Sequence, residues 1–199
     1  MQCMFIVLAT LLTGMAGLAR AEGPPAAVAG KKAELLEEKA ADQPVAPAER
    51  ITPAEARAVD PQGQKPLDDS LTCLARTIYW EAKGEAGMTA VASVVMNRLA
   101  APSFPTTVCA VVTQGRENAT CQFSWWCDGR PDDVEEPQVY DEAMEIARRA
   151  LNRQIEDPTG GAVNFHLDTV HPEWADAFVK TATIGAHVFY RAPAVTAAN

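Results

Sequence analysis

The sequence predicts a mainly helical α+β fold: a single domain with a small β element, preceded by a disordered N-terminal segment. Two observations predict it. Apolar residues recur at helical spacing in three segments of the second half of the chain, whereas short runs near its end alternate between apolar and polar residues, as strands do. All four tryptophans and all three histidines lie within residues 68–192, which indicates that the core lies there.

The N-terminal residues predict export to the periplasm or the extracellular space. Residues 1–21 contain an apolar run and end in Ala19-Arg20-Ala21, the small-x-small pattern that signal peptidase recognises. No Lys or Arg precedes the run, which leaves an uncleaved membrane anchor as the alternative, although a span needs about 20 apolar residues. Residues 22–67 are rich in Ala and Pro, which predicts a disordered linker, and residues 193–199 are a C-terminal tail.

The charge balance limits the partners of this protein. Its formal net charge of −9 disfavours binding to nucleic acid, which is a polyanion, whereas a neutral sugar polymer is compatible with an acidic surface. Once the signal peptide is removed, no stretch is long and apolar enough to span a membrane. We expect a monomer, and the sequence implies neither a metal nor an organic cofactor.

The cysteines predict disulfides. Cys73, Cys109, Cys121 and Cys127 remain after the signal peptide is removed, an even number in an oxidising compartment, and their spacing is not that of a zinc site. Four cysteines allow three pairings, among which the sequence does not choose. The short separation favours Cys121–Cys127, which leaves Cys73–Cys109.

A glutamate on the apolar face of the first helix is the candidate for chemistry. This helix is expected to begin at the Asp68-Asp69-Ser70 cap and to place Leu74, Ile78 and Glu81 on one stripe. Burial and the negative end of the helix dipole both disfavour a charged carboxylate, so the pKa of Glu81 should be raised. An acid that keeps its proton near neutral pH can protonate the leaving oxygen of a glycosidic bond.

Both glutamates of this region could instead have a structural role. Glu81 could form a salt bridge with Arg76, Lys83 or Arg98, as buried carboxylates often do. Glu85 follows at a glycine-flanked turn, and we expect it to cap the second helix, which runs through MTAVASVVMNRL and ends before Pro102.

The rest of the domain is expected to contain a polar loop, a third helix and short strands. Thr113–Arg130 has the composition of a cross-linked loop, and Pro137 begins the third helix. Val163 and Phe165 alternate with polar residues as in a strand, and TATIGAHVFYR near the end is typical of a strand pair.

Four runs of sequence resemble the SleB/CwlJ-type cell wall hydrolase family, in that family's order: CLARTIYWEAKGEAGMTAVASVVMNRLAAPSFPTTVCAVV, CQFSWWCDG, GAVNFHLDTVHPEWA and TIGAHVFYR. The resemblance implies a lysozyme-like fold, similar to goose-type lysozymes and lytic transglycosylases. It also implies that Glu81, the first glutamate of the family's E-A-[RK]-G-E motif, is catalytic. Lys83 stands where Arg is more usual, and the family's N-terminal peptidoglycan-binding repeat is not seen.

The implied substrate is the glycan backbone of peptidoglycan, between N-acetylmuramic acid and N-acetylglucosamine. As a lytic transglycosylase, Glu81 would protonate the leaving oxygen and then activate the muramic acid 6-hydroxyl, giving a 1,6-anhydro sugar. Hydrolysis by a lysozyme-like route is the near alternative.

Five residues are candidates for binding this substrate. Tyr79 and Trp125 could stack on sugar rings, Gln122 and Ser124 could bond to hydroxyl or N-acetyl groups, and His166 could donate to the substrate from the cleft wall. Each has an ordinary alternative, as a core aromatic or as a loop residue that bonds to its own backbone.

Two other functions remain open. His166 and His171 with Glu81 or Glu173 would suit a zinc-dependent peptidoglycan amidase, although no H-E-x-x-H motif is present. A non-catalytic wall-binding protein would keep the cleft without the activity, and the presence of Glu81 argues against it.

Overall fold

The computed structural model describes residues 50–118 and 120–193, which form five α-helices and one three-stranded antiparallel sheet. The predicted mainly helical α+β class is confirmed. The helices are α1 (Pro53–Val59), α2 (Ser70–Glu81), α3 (Glu85–Ala100), α4 (Val108–Val112) and α5 (Pro137–Leu151), and the strands are β1 (Asn164–Leu167), β2 (Val179–Ile184) and β3 (His187–Arg191). The predicted signal peptide, the linker up to residue 49 and the tail from residue 194 lie outside the described residues.

Local capping sets the limits of α2. The Asp69 carboxylate accepts hydrogen bonds from the backbone N–H groups of Leu71 and Thr72, both at 2.9 Å, and so satisfies two donors that the first turn leaves free. The helix ends where Ala82 becomes extended, and Gly84 follows with a φ of 72°. Such a left-handed backbone favours glycine, so α2 and α3 meet at a sharp turn immediately after Glu81.

Helix α3 is buried on two sides. Val91 and Val95 pack into the main core with the other helices, whereas Ala90 and Val94 pack against Ala162 and the sheet. A helix that is apolar nearly all round belongs in the interior. The position of α3 therefore fixes the sheet relative to the end of α2, where Glu81 lies.

The domain begins earlier than the sequence predicted. Residues 50–67 were assigned to the disordered linker, but Thr52 and Glu55 form a capping box that starts α1, and Ala56 is buried in the core. Beyond the helix, the buried Asp60 carboxylate accepts a hydrogen bond of 2.9 Å from the hydroxyl of Tyr140 on α5. The prediction was wrong for this stretch because contacts with distant residues order it, whereas its own composition is that of a linker.

The two faces of the sheet have different neighbours. In the β1–β3 register Phe165 lies opposite Phe189, and His166 lies opposite Val188. Phe165 and Phe189 pack towards α3, whereas Val188 and Tyr190 on the other face pack against the 3₁₀ turn Glu173–Ala177.

Both cysteine pairs favoured by the sequence are brought together. The Cα atoms of Cys73 and Cys109 are 5.3 Å apart and those of Cys121 and Cys127 are 6.1 Å apart, within the range of about 4.4–6.8 Å that disulfides require. The first pair ties α2 to α4, and the second closes the loop that carries Ser124 and Trp125.

Within the described residues no helix is long and apolar enough to cross a membrane.

The two bridges should differ in their effect on stability. They close loops of 36 and 6 residues, and the larger loop removes more entropy from the unfolded chain. Replacing Cys73 and Cys109 by alanine should cost about 4 kcal/mol, against about 2 kcal/mol for Cys121 and Cys127. Urea unfolding measures both values.

The four cysteines should be oxidised. Thiol titration of the unfolded, unreduced protein without residues 1–21 should find no free thiol. Four free thiols in protein from its native compartment would contradict the pairing.

Candidate active site

Glu81 is the last residue of α2 and lies on the stripe predicted for it. Leu74 and Ile78, two turns and one turn earlier, are fully buried, and Glu81 continues their row with a half-buried side chain. The carboxyl group therefore stands at the negative end of the helix, where a negative charge is disfavoured.

The structure does not show the alternative salt bridge. Lys83 pairs instead with Glu136 at 2.9 Å, and Arg76 donates to the carbonyl oxygen of Gly63. Arg98 donates to the carbonyl oxygen of Val163 at 2.7 Å. Among the residues described, Glu81 has no ion pair, and its Oε1 atom is covered without a hydrogen-bond partner.

This environment raises the pKa of Glu81 from its ordinary value of 4.5 to about 7. Burial is the main cause, because it removes the water that would stabilise the charge. The backbone N–H of Ser124 and the positive charge of Arg98 act in the opposite direction and keep the pKa from rising further. Glu81 thus holds a proton for a large fraction of the time at neutral pH and can still release it.

Arg98 is a site residue whose role the sequence did not reveal. Its side chain is 3% exposed, lies over the rings of Phe104 and Phe123 at 5.3 and 5.0 Å, and has one nitrogen, Nη1, without a partner among the described residues. Burial lowers the pKa of its guanidinium to about 10, while the charge of Glu81 opposes this shift. The signal was present: a charged residue within the apolar run of α3 is as unusual as Glu81 on the stripe of α2.

A cleft of about 490 Å³ lies beside the Cys121–Cys127 loop. Its lining residues come from the end of α2, from that loop and from the segment before α5, and they are Trp80, Ser124, Trp125, Asp128, Arg130, Pro131, Asp132 and Glu135. Ser124 connects the cleft with the acid, since its exposed side chain lines the cleft while its backbone N–H acts on Glu81. The structure thus brings Glu81 and Ser124 together.

Neither Trp125 nor Gln122 occupies the position predicted for a sugar-binding residue of the cleft: Trp125 is nearly buried, and Gln122 is exposed outside the cleft. Trp125 is 5% exposed and presents only part of its surface to the cleft, with its indole N–H covered. Gln122 is exposed but is not part of the cleft lining, and its backbone N–H bonds to the carbonyl oxygen of Gln114 at 3.0 Å.

Tyr79 is a core residue, and its predicted role in stacking on sugars is wrong. The side chain is 2% exposed, and its ring packs edge-to-face with Trp80 and Tyr140. Its hydroxyl oxygen accepts hydrogen bonds of 3.0 Å from the backbone N–H groups of Glu135 and Glu136. Tyr79 therefore holds the start of α5 against α2, and no sugar can reach its ring.

His166 was predicted as a cleft-lining donor, but it is not among the residues that line this cleft. It is on the sheet face opposite to Phe165, and both ring nitrogens are engaged: Nδ1 with the carbonyl oxygen of Leu167 at 2.8 Å and Nε2 with the hydroxyl of Tyr190 at 3.0 Å. His171 bonds through Nε2 to Asp176 at 3.0 Å. Within residues 50–118 and 120–193, no three His, Cys, Asp or Glu side chains are grouped as a metal site requires.

Glu85 does not cap α3 with its side chain, contrary to the prediction. It is the first residue of that helix, and Gly84 is the capping residue without a side-chain bond. The exposed carboxylate of Glu85 lies 3.5 Å from Arg149, and its negative charge near the helix N-terminus is favourable without a capping bond.

Comparison with known proteins places this chain in a family. The family model described as Cell Wall Hydrolase matches residues 82–190, a region that begins directly after Glu81 and includes Arg98 and the cleft loop. The chain belongs to the cell wall hydrolase family. The family suggested by the sequence motifs is therefore confirmed.

Two relatives and one solved structure are similar to parts of this chain. A spore cortex-lytic enzyme from Halalkalibacterium halodurans is 34% identical over 127 residues, covering 61% of this chain and 34% of the relative. One from Bacillus cereus is 34% identical over 134 residues, covering 65% and 46%. The chain thus spans less than half the length of these relatives. The solved catalytic domain of the germination-specific lytic transglycosylase SleB from Bacillus anthracis is 29% identical, with a TM-score of 0.49, covering 62% of this chain and 95% of that domain.

Proposed function

We propose that this protein degrades peptidoglycan by cutting its glycan strands, as a lytic transglycosylase that uses Glu81 as its only catalytic carboxyl group. The observation that carries the proposal is the Glu81 carboxyl itself, which has no ion pair among the described residues and whose pKa is raised to about 7. The backbone N–H of Ser124, a residue of the cleft lining, acts on it. A group with such a pKa can act as an acid and as a base in one catalytic cycle near neutral pH.

The reaction then takes two proton transfers through one residue. Glu81 first gives its proton to the glycosidic oxygen, so that the bond to C1 of N-acetylmuramic acid breaks and the next sugar leaves as an alcohol. The Glu81 carboxylate then takes the proton of the 6-hydroxyl of the same muramic acid, and O6 bonds to C1. The product is a 1,6-anhydro sugar, and Glu81 has regained its proton.

The charges around Glu81 support a single-carboxylate mechanism. A two-carboxylate glycosidase holds its second acid about 5–9.5 Å from the first, where it would act on the pKa of its partner. The charge that acts on Glu81 is that of Arg98. Asp132, an acid of the cleft, has a raised pKa because of its burial and of repulsion from Asp128 and Asp133, and Glu81 is not among the causes.

The substrate class and the location follow from the family and the N-terminus. The matched relatives are named for lysis of the spore cortex, which supports a wall polymer as the substrate of this chain. Peptidoglycan lies outside the cytoplasmic membrane, so we also propose that residues 1–21 direct export. Ser124 would bind the glycan in the cleft, to which Trp125 presents only part of its surface.

Mass spectrometry of the muropeptides released from purified sacculi tests the proposal. We expect products with 1,6-anhydro ends. Reducing ends would instead indicate lysozyme-like hydrolysis, and free peptides whose release stops on addition of a chelator would indicate a zinc amidase. Sacculi that bind the protein without releasing any soluble product would indicate the non-catalytic wall-binding alternative.

A further inference from the structure

The stretch from the end of β1 to the start of β2 carries several large apolar side chains that are exposed. Among the described residues, the large apolar side chains that are exposed are Leu167, Val170, Trp174 and Val179, at 37–52% exposure. All four fall within residues 167–179. Trp174 is the aromatic residue among them.

Trp174 is held rigidly within this segment. Its ring packs edge-to-face against His166, Phe178 and Tyr190, with centroid distances of 5.6, 5.8 and 5.5 Å, and yet the residue is 37% exposed. His166 is itself fixed: the Leu167 carbonyl oxygen can only accept, so Nδ1 carries the proton and Nε2 accepts from the Tyr190 hydroxyl. A ring fixed in advance loses little entropy when a ligand packs on it.

A polar pair lies in the same segment as Trp174, next to His166. His171 and Asp176 are bonded at 3.0 Å, both are largely exposed, and the His171 ring lies 6.1 Å from that of His166. A pyranose ring needs this combination, because its C–H groups carry a slight positive charge that suits the face of an aromatic ring, while its hydroxyl groups need donors and acceptors. Asp168 and Glu173 make the neighbourhood acidic, which disfavours anionic ligands such as nucleic acid or acidic lipid.

Strand β1 connects this surface with the candidate active site. Arg98, whose charge acts on Glu81, donates to the carbonyl oxygen of Val163 and lies 3.5 Å from the Asn164 side chain. Asn164 and His166 lie on the same face of β1, two residues and therefore about 7 Å apart. Strand β1 is thus in contact with Arg98 at its start and, through His166, with Trp174.

We propose that Trp174, with His171 and Asp176, forms a second glycan-binding site that holds an uncharged sugar ring of the strand being cut, at a distance from the bond that Glu81 breaks. This inference rests on the proposed function for the identity of the polymer. It predicts that long or insoluble strands engage both sites, whereas short fragments occupy only the cleft.

Binding to intact sacculi is the direct test, measured by co-sedimentation with the Glu81→Gln protein so that the polymer is not degraded. Adding Trp174→Ala should weaken binding by about tenfold or more, since the aromatic contact is lost. Trp174→Phe, which keeps an aromatic ring, should lose less and also serves if the alanine variant fails to fold. Leu167→Ser and Val170→Ser are the matched controls, because they remove exposed apolar surface beside the site without removing the ring, and they should bind as the parent does.

A second measurement separates the new site from the cleft. In the protein with Glu81 intact, Trp174→Ala should slow the release of fragments from sacculi but change kcat/KM on a short soluble glycan fragment by less than about twofold. Sacculus binding equal to that of the parent would overturn the proposal. Equal weakening of binding by Leu167→Ser and Val170→Ser would also overturn it and would indicate a docking surface for a protein or a second copy. An equal loss of kcat/KM on short fragments would overturn it too, because it would place Trp174 in the cleft. If Glu81→Gln still cut sacculi, the proposed function would fail. Sedimentation after a time too short for release of soluble fragments would then still decide whether Trp174 binds the wall.

Discussion

Glu81→Gln should reduce the release of soluble muropeptides from sacculi by at least about 10²–10⁴-fold, the loss that follows removal of a general acid. Glutamine keeps the shape of the side chain but cannot give a proton to the glycosidic oxygen. The covered Oε1 atom has no partner among the described residues, so the substitution breaks no hydrogen bond there. The variant should therefore fold, and its circular dichroism spectrum should match that of the parent.

Glu85→Gln is the matched control for this loss. Glu85 is four residues further along the same motif, but its exposed carboxylate lies 3.5 Å from Arg149 and has no part in the proposed mechanism. This variant should keep most of the activity. Full activity of Glu81→Gln, or equal loss in both variants, would contradict the assignment of Glu81 as the catalytic acid.

The second large effect expected is on stability and depends on pH. The folded protein raises the pKa of Glu81 from 4.5 to about 7, whereas the unfolded chain restores the ordinary value. The folded state therefore binds the proton more tightly, and its stability should fall as the pH rises from 4.5 through about 7. The total loss corresponds to roughly 3 kcal/mol, at about 1.4 kcal/mol per pH unit.

Glu81→Gln should remove this part of the pH dependence, because an amide does not ionise. Above neutral pH it should be more stable than the parent by up to roughly 3 kcal/mol, and near pH 4.5 the two should be alike. Urea unfolding of both proteins from about pH 5 to about pH 8 measures the difference. A Glu81→Gln protein that is less stable than the parent at about pH 8 would indicate that Glu81 stabilises a partner by an ion pair in solution.

The helices that could be predicted are those with local signals. Asp69 caps α2 and Pro137 begins α5, and both act on their own turn of helix. Helix α1 could not be predicted as part of the domain. The chain just before it is held by residues about a hundred positions away, since Arg148 and Asn152 donate to the carbonyl oxygen of Ile51, and no local pattern contains such a contact.

The aromatic residues show the same division within the candidate site. Their number and positions suggested sugar binding, but the sequence does not say which ring faces solvent. The hydroxyl of Tyr79 is used by the backbone before α5, and His166 faces Tyr190 and Trp174, away from the Ser124 loop. Exposure of a ring depends on what packs over it, and those neighbours come from other segments.

For Glu81, the sequence by itself determined its row and its place near a helix end, because both follow from spacing within one helix and from the glycine turn after it. The family motifs identified it as the catalytic candidate. Only the tertiary structure decided what surrounds the carboxyl group. The Ser124 N–H comes from a cross-linked loop and the Arg98 charge from the next helix, and the extent of burial depends on all of them. Desolvation and Coulomb interactions act through space between segments that folding brings together, so the pKa of an acid cannot be read from its position in the sequence.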